Sequence, residues 1–519
     1  LLSRALNRGY GMSRYRWPMH YGLLNNDCLW VLDEVQLMGS GLATTTQLAA
    51  FRDIMGTNAG CHCLWMSATM KRAWLQTIDF EDKCESLAQL DLTAADRSVE
   101  PLKSRLQAHK ILYRADITYL DTTKPDKIKQ SFKELATLIK DAHMPGTLTL
   151  VVVNTVDRAV KIFKALKEQF PRPGKGKSEK RAEESRTQES TQPDLLLIHS
   201  RFRPLEKEQK INRLDDEVPV QGRIVVSTQV IEAGADVSSR TLFTEVAPWA
   251  SLIQRFGRCN RKGEYDEASI YWIDLLCIAE EILKSEAAAM KKKPPTAEQI
   301  AGKKQEYARP YALKELEAAR DQLTNLQEAG PEALEKHLLT LSEDTQSDLF
   351  PYVPRHVIRR KDLVELFDTT PDLAGNDIDV SRFIRDGEDL DVQVFWRSLE
   401  DGRPGPDEKA PSRSELCPVQ WIAFRDFLKK KTAYRWDFLE RKPERPWVQV
   451  WAGDVFPGQR YLIPSDQGGY DVDIGWDPTG QAAVEPVIAE TTRHIDEIGK
   501  EFMNIRTLLF PSSTGFLRS

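Results

Sequence analysis

STQVIEAGADVSSRTLFTEVAPWASLIQRFGRCNR, from Ser227 to Arg261, is the stretch from which the architecture of this chain can be worked out. Just before it, IVVST (Ile224 to Thr228) is a short β-branched run that predicts a buried strand, and QVIEAGADV follows as a turn carrying Gly234. A strand that ends in such a turn aims backbone at a ligand. In QRFGRCNR, Gln254, Arg258 and Arg261 recur at spacings of four and three, so on a helix they share one face. Two guanidinium groups converging on one point suit a polyanion such as a triphosphate, whereas an isolated pair at this spacing is more simply a solvated basic face.

Upstream, CLWVLDEVQLM is a buried strand whose carboxyl end delivers Asp33 and Glu34, the place where open α/β sheets put ligands. An acidic pair there suits magnesium, one carboxylate holding the ion through water and the other orienting an attacking water. LATTTQLAAFRDIM predicts a helix, and CHCLWMSAT the next strand, ending in the hydroxyls of Ser67 and Thr69. Strand, helix, strand is the βαβ unit of a parallel sheet. After Pro145-Gly146, TLTLVVVN opens a second sheet, and VDRAVKIFKALKEQF is amphipathic at helical spacing. LLLIHSRF and SIYWID supply further strands, with Arg201 and Arg203 at the end of the former as candidate phosphate-backbone contacts.

Between these strands, residues 171–193 are polar and charged, the composition of a flexible insertion. Gly176-Lys177-Ser178 within it resembles the tail of a phosphate-binding loop, but Pro171 stands where the pattern needs glycine and a helix precedes it instead of a strand. Residues 278–345 are rich in alanine, lysine and glutamate, as in a charged helix or linker. PWVQVWAGDVFPGQRYLIP, further on, has the texture of short strands and turns.

The chain has 519 residues, 41% hydrophobic and 29% charged, enough for about three domains. No run approaches a transmembrane helix and no apolar signal segment opens the chain, so no membrane partner is expected. Seven scattered cysteines, an odd number, argue for reduced thiols and a cytoplasmic location. Cys61-His62-Cys63 lacks a second ligand pair at zinc spacing and reads as strand. A net charge of −6 leaves nucleic-acid binding open, because motors grip backbone through local grooves.

TQVIEAGADV and QRFGRCNR together resemble motifs V and VI of superfamily two helicases. VLDEVQ (Val31 to Gln36), SAT (Ser67 to Thr69) and VVVNTVDRA (Val151 to Ala159) stand upstream in the order that motifs II, III and IV take there. The run GYGMSRYRWPMHYGLLNNDCLWVLDEVQLMG, the HSRF segment and LFDTTPDLAGNDIDVSRFIRD narrow the resemblance. Over roughly residues 9–400 the chain resembles the CRISPR-associated helicase-nuclease of type I systems, in the subtype once labelled U.

The resemblance implies an α/β fold of two tandem RecA-like parallel-sheet domains, the first incomplete (1–144) and the second at 145–277. A charged helical linker over 278–345 and a mixed α+β carboxyl-terminal accessory region over 346–519 would follow. It implies ATP and magnesium as cofactors, movement along single-stranded DNA in the 3′ to 5′ direction, and recruitment by an RNA-guided CRISPR surveillance complex. Asp33 would bind magnesium and Glu34 activate water, while Gln36 (where many relatives have histidine), Ser67 and Thr69 couple hydrolysis to movement. Gly234 and Asp236 would line the nucleotide, Thr228 with Arg201 and Arg203 would grip the strand, and Gln254, Arg258 and Arg261 would face the γ-phosphate.

Two of that family's parts are not legible. Residues 1–32 contain no glycine-rich phosphate loop, and none of the 8 histidines belongs to the His-Asp doublet of an HD nuclease. In ETTRHIDEIGKEF, Thr491 stands where the first metal ligand is expected. The chain is therefore expected to be a piece of a longer protein, with most of a motor and essentially none of the nuclease. The competing expectation is an inactive nucleic-acid-binding fragment of a decayed or split helicase gene. Alone, it is expected to show no DNA-stimulated ATPase and no DNA cleavage, because a triphosphate needs backbone N–H groups and a lysine around its β- and γ-phosphates. Phosphate release with magnesium, ATP and single-stranded DNA, with and without an upstream segment, checks this; robust turnover by these 519 residues alone would contradict it.

Overall fold

The computed structural model describes residues 16–67, 70–117, 125–170, 192–232, 235–290, 293–370, 378, 380–384, 390–405, 408–436 and 447–487. Strands β1 (Cys28–Leu32) and β2 (Cys61–Trp65) run parallel, in register from Cys28 opposite Cys61 to Leu32 opposite Trp65. The helix Ser40–Met55 crosses between them and stops at Gly56, whose φ of +78° only glycine adopts readily. Past the strand ends the ladder continues through Met66 N to Leu32 O (2.8 Å) and Val35 N to Met66 O (3.2 Å), which joins the acidic turn to the SAT segment.

One face of this pair is packed. Trp17, Trp30, Leu48 and Phe51 share a buried core with Ile358, Leu363, Val380 and Phe383. Thr44 Oγ1 donates to Phe383 O at 2.5 Å and Gln47 Nε2 to Ile358 O at 3.0 Å. The expected accessory region 346–519 is therefore divided, since Ile358, Leu363, Leu366, Val380 and Phe383 complete the core of the first sheet. On the other face Leu29 and Val31 are 63% and 53% exposed.

The second sheet comprises β3 (Lys110–Arg114), β4 (Leu148–Val152), β5 (Asp194–Ile198), β6 (Arg223–Ser227), β7 (Thr241–Glu245) and β8 (Ala268–Ile273), in the order β3-β8-β7-β4-β6-β5. Every residue of β4, β6 and β7 is buried, as expected of parallel strands covered on both faces. β3 comes from the segment that the sequence assigned to the first domain, yet it runs parallel to β8. Its free edge is closed by residues 327–329, through Leu112 N to Gln327 O and Ala329 N to Lys110 O, both 2.8 Å. Lys110 is buried, its Nζ donating to Phe256 O at 3.0 Å, and burial pushes its pKa down to about 8.

Residues 275–349 form the helices Leu275–Ala289, Ala297–Ala308, Leu313–Leu323, Pro331–Thr340 and Glu343–Leu349. They are packed rather than a free linker: Leu316, Ala319 and Leu323 are buried, and Arg320 Nε meets the buried Asp274 at 2.8 Å.

Residues 195–217, 225–230 and 389 onward cluster as a compact unit of their own. Its mixed sheet contains β9 (Asp391–Arg397), β10 (Cys417–Gln420), β11 (Ala433–Trp436), β12 (Trp447–Val450) and β13 (Arg460–Pro464), ordered β10-β9-β13-β11-β12. The short strands expected from the tryptophan-rich stretch are present. A hairpin, β14 (Tyr470–Asp471) and β15 (Gly475–Trp476), encloses the HSRF turn. Arg201 N donates to His199 Nδ1 (3.0 Å), which fixes the tautomer so that Nε2 donates to Ile474 O (2.8 Å), and Trp476 N donates to Arg201 O (2.9 Å). Gly475 at φ +83° lets the two backbones approach, since a Cβ there would lie 2.5 Å from Arg201 O.

Burial pushes the His199 imidazole down to about 3. An unfolded histidine takes up its proton near 6.5, so the stability this group provides is complete above that pH and lost as pH falls toward 3. The unfolding midpoint of the unit that contains His199 should be lower at pH 4 than at pH 7, and His199→Gln should flatten that dependence.

Candidate functional site

β1 delivers Asp33 exposed and Glu34 half-buried, in a left-handed conformation at φ +51°, ψ +47° that non-glycine residues rarely adopt. Asp33 Oδ1 accepts from Glu34 N at 2.9 Å, which holds the turn. Glu34 Oε2 accepts from two amides, Gln36 Nε2 at 2.6 Å and Gln254 Nε2 at 2.9 Å. Gln254 stands on the helix Trp249–Phe256, so two residues 220 apart in sequence meet at one carboxylate. Gln36 Oε1 is buried and has no partner.

Arg258 and Arg261 differ from the expectation of one shared helical face. The helix ends at Phe256, and the chain after Gly257 turns to pair with Ser239, through Ser239 N to Arg258 O and Asn260 N to Ser239 O, both 2.8 Å. Asn260 at φ +45° completes the turn. The two arginines reach the site from this loop, not as adjacent rungs of a helix. Arg258 is buried, donates Nη2 to Glu232 O at 2.7 Å, and leaves a buried Nε without a partner. Burial pushes its pKa down and Arg261 adds to that, while Glu34, Asp236 and Glu232 oppose it. Arg261 Nε pairs with Asp236 Oδ1 at 2.9 Å and its backbone N donates to Ser238 Oγ at 2.8 Å. With Asp236 70% exposed, this is a surface pair of small energetic weight, and the arginine is easily withdrawn from it.

Beneath them lies a network that the motif did not announce. Arg255 is fully buried: Nε pairs with Glu232 Oε1 at 2.7 Å, Nη1 donates to Thr244 Oγ1 and Glu245 O at 3.1 Å, and Nη2 to Asn154 Oδ1 at 3.0 Å. Glu245 in turn meets Arg158 Nε and the backbone N of Asn154, both at 2.6 Å. Thus the ends of β4 and β7 and the turn bearing Glu232 converge on one guanidinium. The available signal was positional, since Arg255 falls between Leu252 and Phe256 on the apolar side of its helix.

The strand-gripping residues fare differently. Arg203 lies differently from an exposed phosphate contact: it is buried, pairs with Glu206, donates to Glu485 O at 2.8 Å and lies 4.5 Å over the Tyr470 ring. Arg201 is engaged by Asp391 at 2.5 Å with its side chain 22% exposed, and Thr228 is buried with its N donating to Ile198 O at 3.4 Å. Arg203 and Thr228 are buried and Arg201 half-buried, each with its partners inside its own unit. Ser67, two residues past the end of β2, is half-buried and borders a cavity of about 380 Å³ with Met66, Leu90 and Asp91. Thr69, Gly234, the 171–191 part of the insertion and ETTRHIDEIGKEF lie outside the described residues.

Among the described residues no three His, Cys, Asp or Glu side chains cluster as a metal site, so a magnesium at Asp33 would need phosphate oxygens and water to complete its shell. None of the described helices is long and apolar enough to cross a membrane.

Residues 145–264 match the family described as CRISPR-associated nuclease/helicase Cas3, C-terminal. The chain is 34% identical over 128 residues to the CRISPR-associated helicase Cas3 of Thermoproteus tenax, a match covering 24% of this chain and 18% of that protein. It is 38% identical over 77 residues to the CRISPR-associated endonuclease/helicase Cas3 of Escherichia coli, covering 14% and 9%. The crystal structure of T. fusca Cas3 with AMPPNP superposes with a TM-score of 0.43 at 15% identity, over 84% of this chain and 50% of that one.

Arg255→Ala should leave the Glu232 carboxylate buried without its cation and cost about 3–5 kcal/mol of stability. Urea unfolding of the purified chain checks this; a loss below about 1 kcal/mol, the weight of a surface pair, would contradict it.

Proposed function

From the premise of a chain that is Cas3-like over residues 145–264, we propose that it is the motor part of a CRISPR-associated helicase, hydrolysing ATP to move along single-stranded DNA. The observation that supports this best is the Glu34 carboxylate, held by the amides of Gln36 and Gln254. A general base needs a fixed orientation, and two hydrogen bonds to one oxygen supply it while leaving the other oxygen for a water proton. Because one of those amides comes from the helix that leads to Arg258 and Arg261, movement of that helix also moves the base.

The residues present fit a nucleotide. Arg258 carries a buried Nε without a partner beside the acidic turn, and Arg261 is tied only to an exposed carboxylate. ATP, when bound with magnesium, supplies the phosphoanhydride whose cleavage drives movement. Asp33 would hold the ion through water, Glu34 would accept the proton of the attacking water, and Arg258 and Arg261 would neutralise charge developing on the γ-phosphate. Ser67 and Gln36, joined through the Val35 to Met66 backbone bond, would pass the change from the acidic turn to the second strand. Single-stranded DNA, an RNA-guided surveillance complex that loads the motor, and a cytoplasmic location belong to the same proposal.

In a chain that includes a phosphate loop, Arg261→Ala should lower ATPase by about 10³ to 10⁵ while leaving the unfolding midpoint unchanged. Glu34→Gln should stop hydrolysis yet spare nucleotide binding. ATPase measured alongside fluorescent-nucleotide titration tests both, and retention of even a tenth of turnover by Arg261→Ala would sink the assignment.

A further inference from the structure

We propose that the helix Trp421–Leu428 and the turn Ala452–Asp454 form a second platform for single-stranded nucleic acid, with Trp451 stacking a base and a stripe of cations following the phosphates. The helix buries Phe424, Phe427 and Leu428 within its own unit. Half-buried Trp421 and exposed Arg425 and Lys429 recur at intervals of four along the side that adjoins this buried face, and Arg425 lies 5.0 Å over the Trp421 ring. Lys429 is 67% exposed, and Lys430 beside it is exposed as well.

The turn lies against this helix. The Phe424 and Tyr461 rings pack at a tilt with centroids 5.0 Å apart, and the Tyr461 hydroxyl accepts from Phe456 N at 3.0 Å, which places the loop from 451 to 456 beside the helix. On that loop Trp451 is 66% and Phe456 55% exposed, unusual for rings of this size. The carboxylates of the face are occupied within it: Asp426 by Lys429 at 2.7 Å, and Asp454 by the backbone N of Trp451 at 3.0 Å. That second bond also fixes the backbone from which the Trp451 ring projects.

Exposed rings on a loop packed against a helix that carries arginine and lysine suit a ligand that is both a polyanion and a series of π faces, which is single-stranded nucleic acid. Protein interfaces share the aromatic and arginine enrichment but are depleted of lysine, so the lysines favour nucleic acid. The platform uses none of Asp33, Glu34, Arg258 or Arg261; only the choice of DNA as the strand rests on the motor proposed above.

The test is fluorescence anisotropy of a labelled mixed-sequence single-stranded oligodeoxynucleotide with the full chain, without nucleotide or magnesium, so that failure of the motor assignment does not touch the result. Trp451→Ala should weaken binding about tenfold at unchanged salt dependence, and Trp451→Phe should keep most of the affinity. Arg425→Ala combined with Lys430→Ala should flatten the slope of log affinity against log salt by roughly one unit. Circular dichroism should be unchanged in all three, because these side chains are exposed. Equal affinities for Trp451→Ala and the unsubstituted chain would overturn the proposal and leave the face to a protein partner, as would absence of binding by the unsubstituted chain.

Discussion

A fully buried arginine has to be neutralised where it sits, and that requirement at Arg255 organises the second sheet. Its guanidinium takes a carboxylate from Glu232, a hydroxyl from Thr244, the carbonyl of Glu245 and the amide oxygen of Asn154. Each partner lies at or just beyond the carboxyl end of a strand or in a neighbouring turn. None can move far without leaving a charge or a polar group unsatisfied in low dielectric, at a cost of several kcal/mol. Burial by itself would lower the Arg255 pKa, yet Glu232 and the surrounding acceptors leave it raised, so the cation persists at any working pH. A rigid floor of this kind allows Arg258 and Gln254, its neighbours on either side, to be presented with fixed directions.

What stands on that floor is comparatively loose. Gln254 reaches Glu34 by one hydrogen bond, and Arg261 is held by a surface ion pair. Interactions of that strength, about 1 kcal/mol each, can break and reform readily, while the Arg255 network beneath cannot. The contrast separates residues that hold the fold from residues free to act. It also explains why an arginine-rich motif contains one arginine with no exposed surface.

The HSRF turn shows the same economy applied in a different unit. His199 is neutral, stacked on Phe202 and bonded at both ring nitrogens, and Arg203 pairs with Glu206 and donates to a backbone carbonyl. Gly475 lets the hairpin close on the Arg201 carbonyl. Basic residues at the end of a strand suggested phosphate contacts. Here Arg201 and Arg203 meet the carboxylates of Asp391 and Glu206 within the same unit.

The strands and most of the helices could be read from composition and period, because β-branched apolar runs such as Leu148–Val152 and Arg223–Ser227 have few alternatives once both faces are covered, and amphipathic runs such as Val156–Gln169 keep one period throughout. The turn at Asp33 and Glu34 past the end of β1 was equally legible, since a strand end followed by an acidic pair is a local pattern. Pairings across long sequence separation were not. β3 joins β8 instead of the first sheet, Val380 and Phe383 fill the core around Trp17, and the helix carrying Gln254 stops before Arg258. Each depends on which surfaces meet after the chain collapses, and local sequence holds no record of a partner hundreds of residues away. Charge was the most misleading signal for the same reason: an arginine looks alike in sequence whether it faces solvent, as Arg425 does, or lies buried, as Arg203 and Arg255 do, and only the packed structure supplies the acids and carbonyls that make burial tolerable.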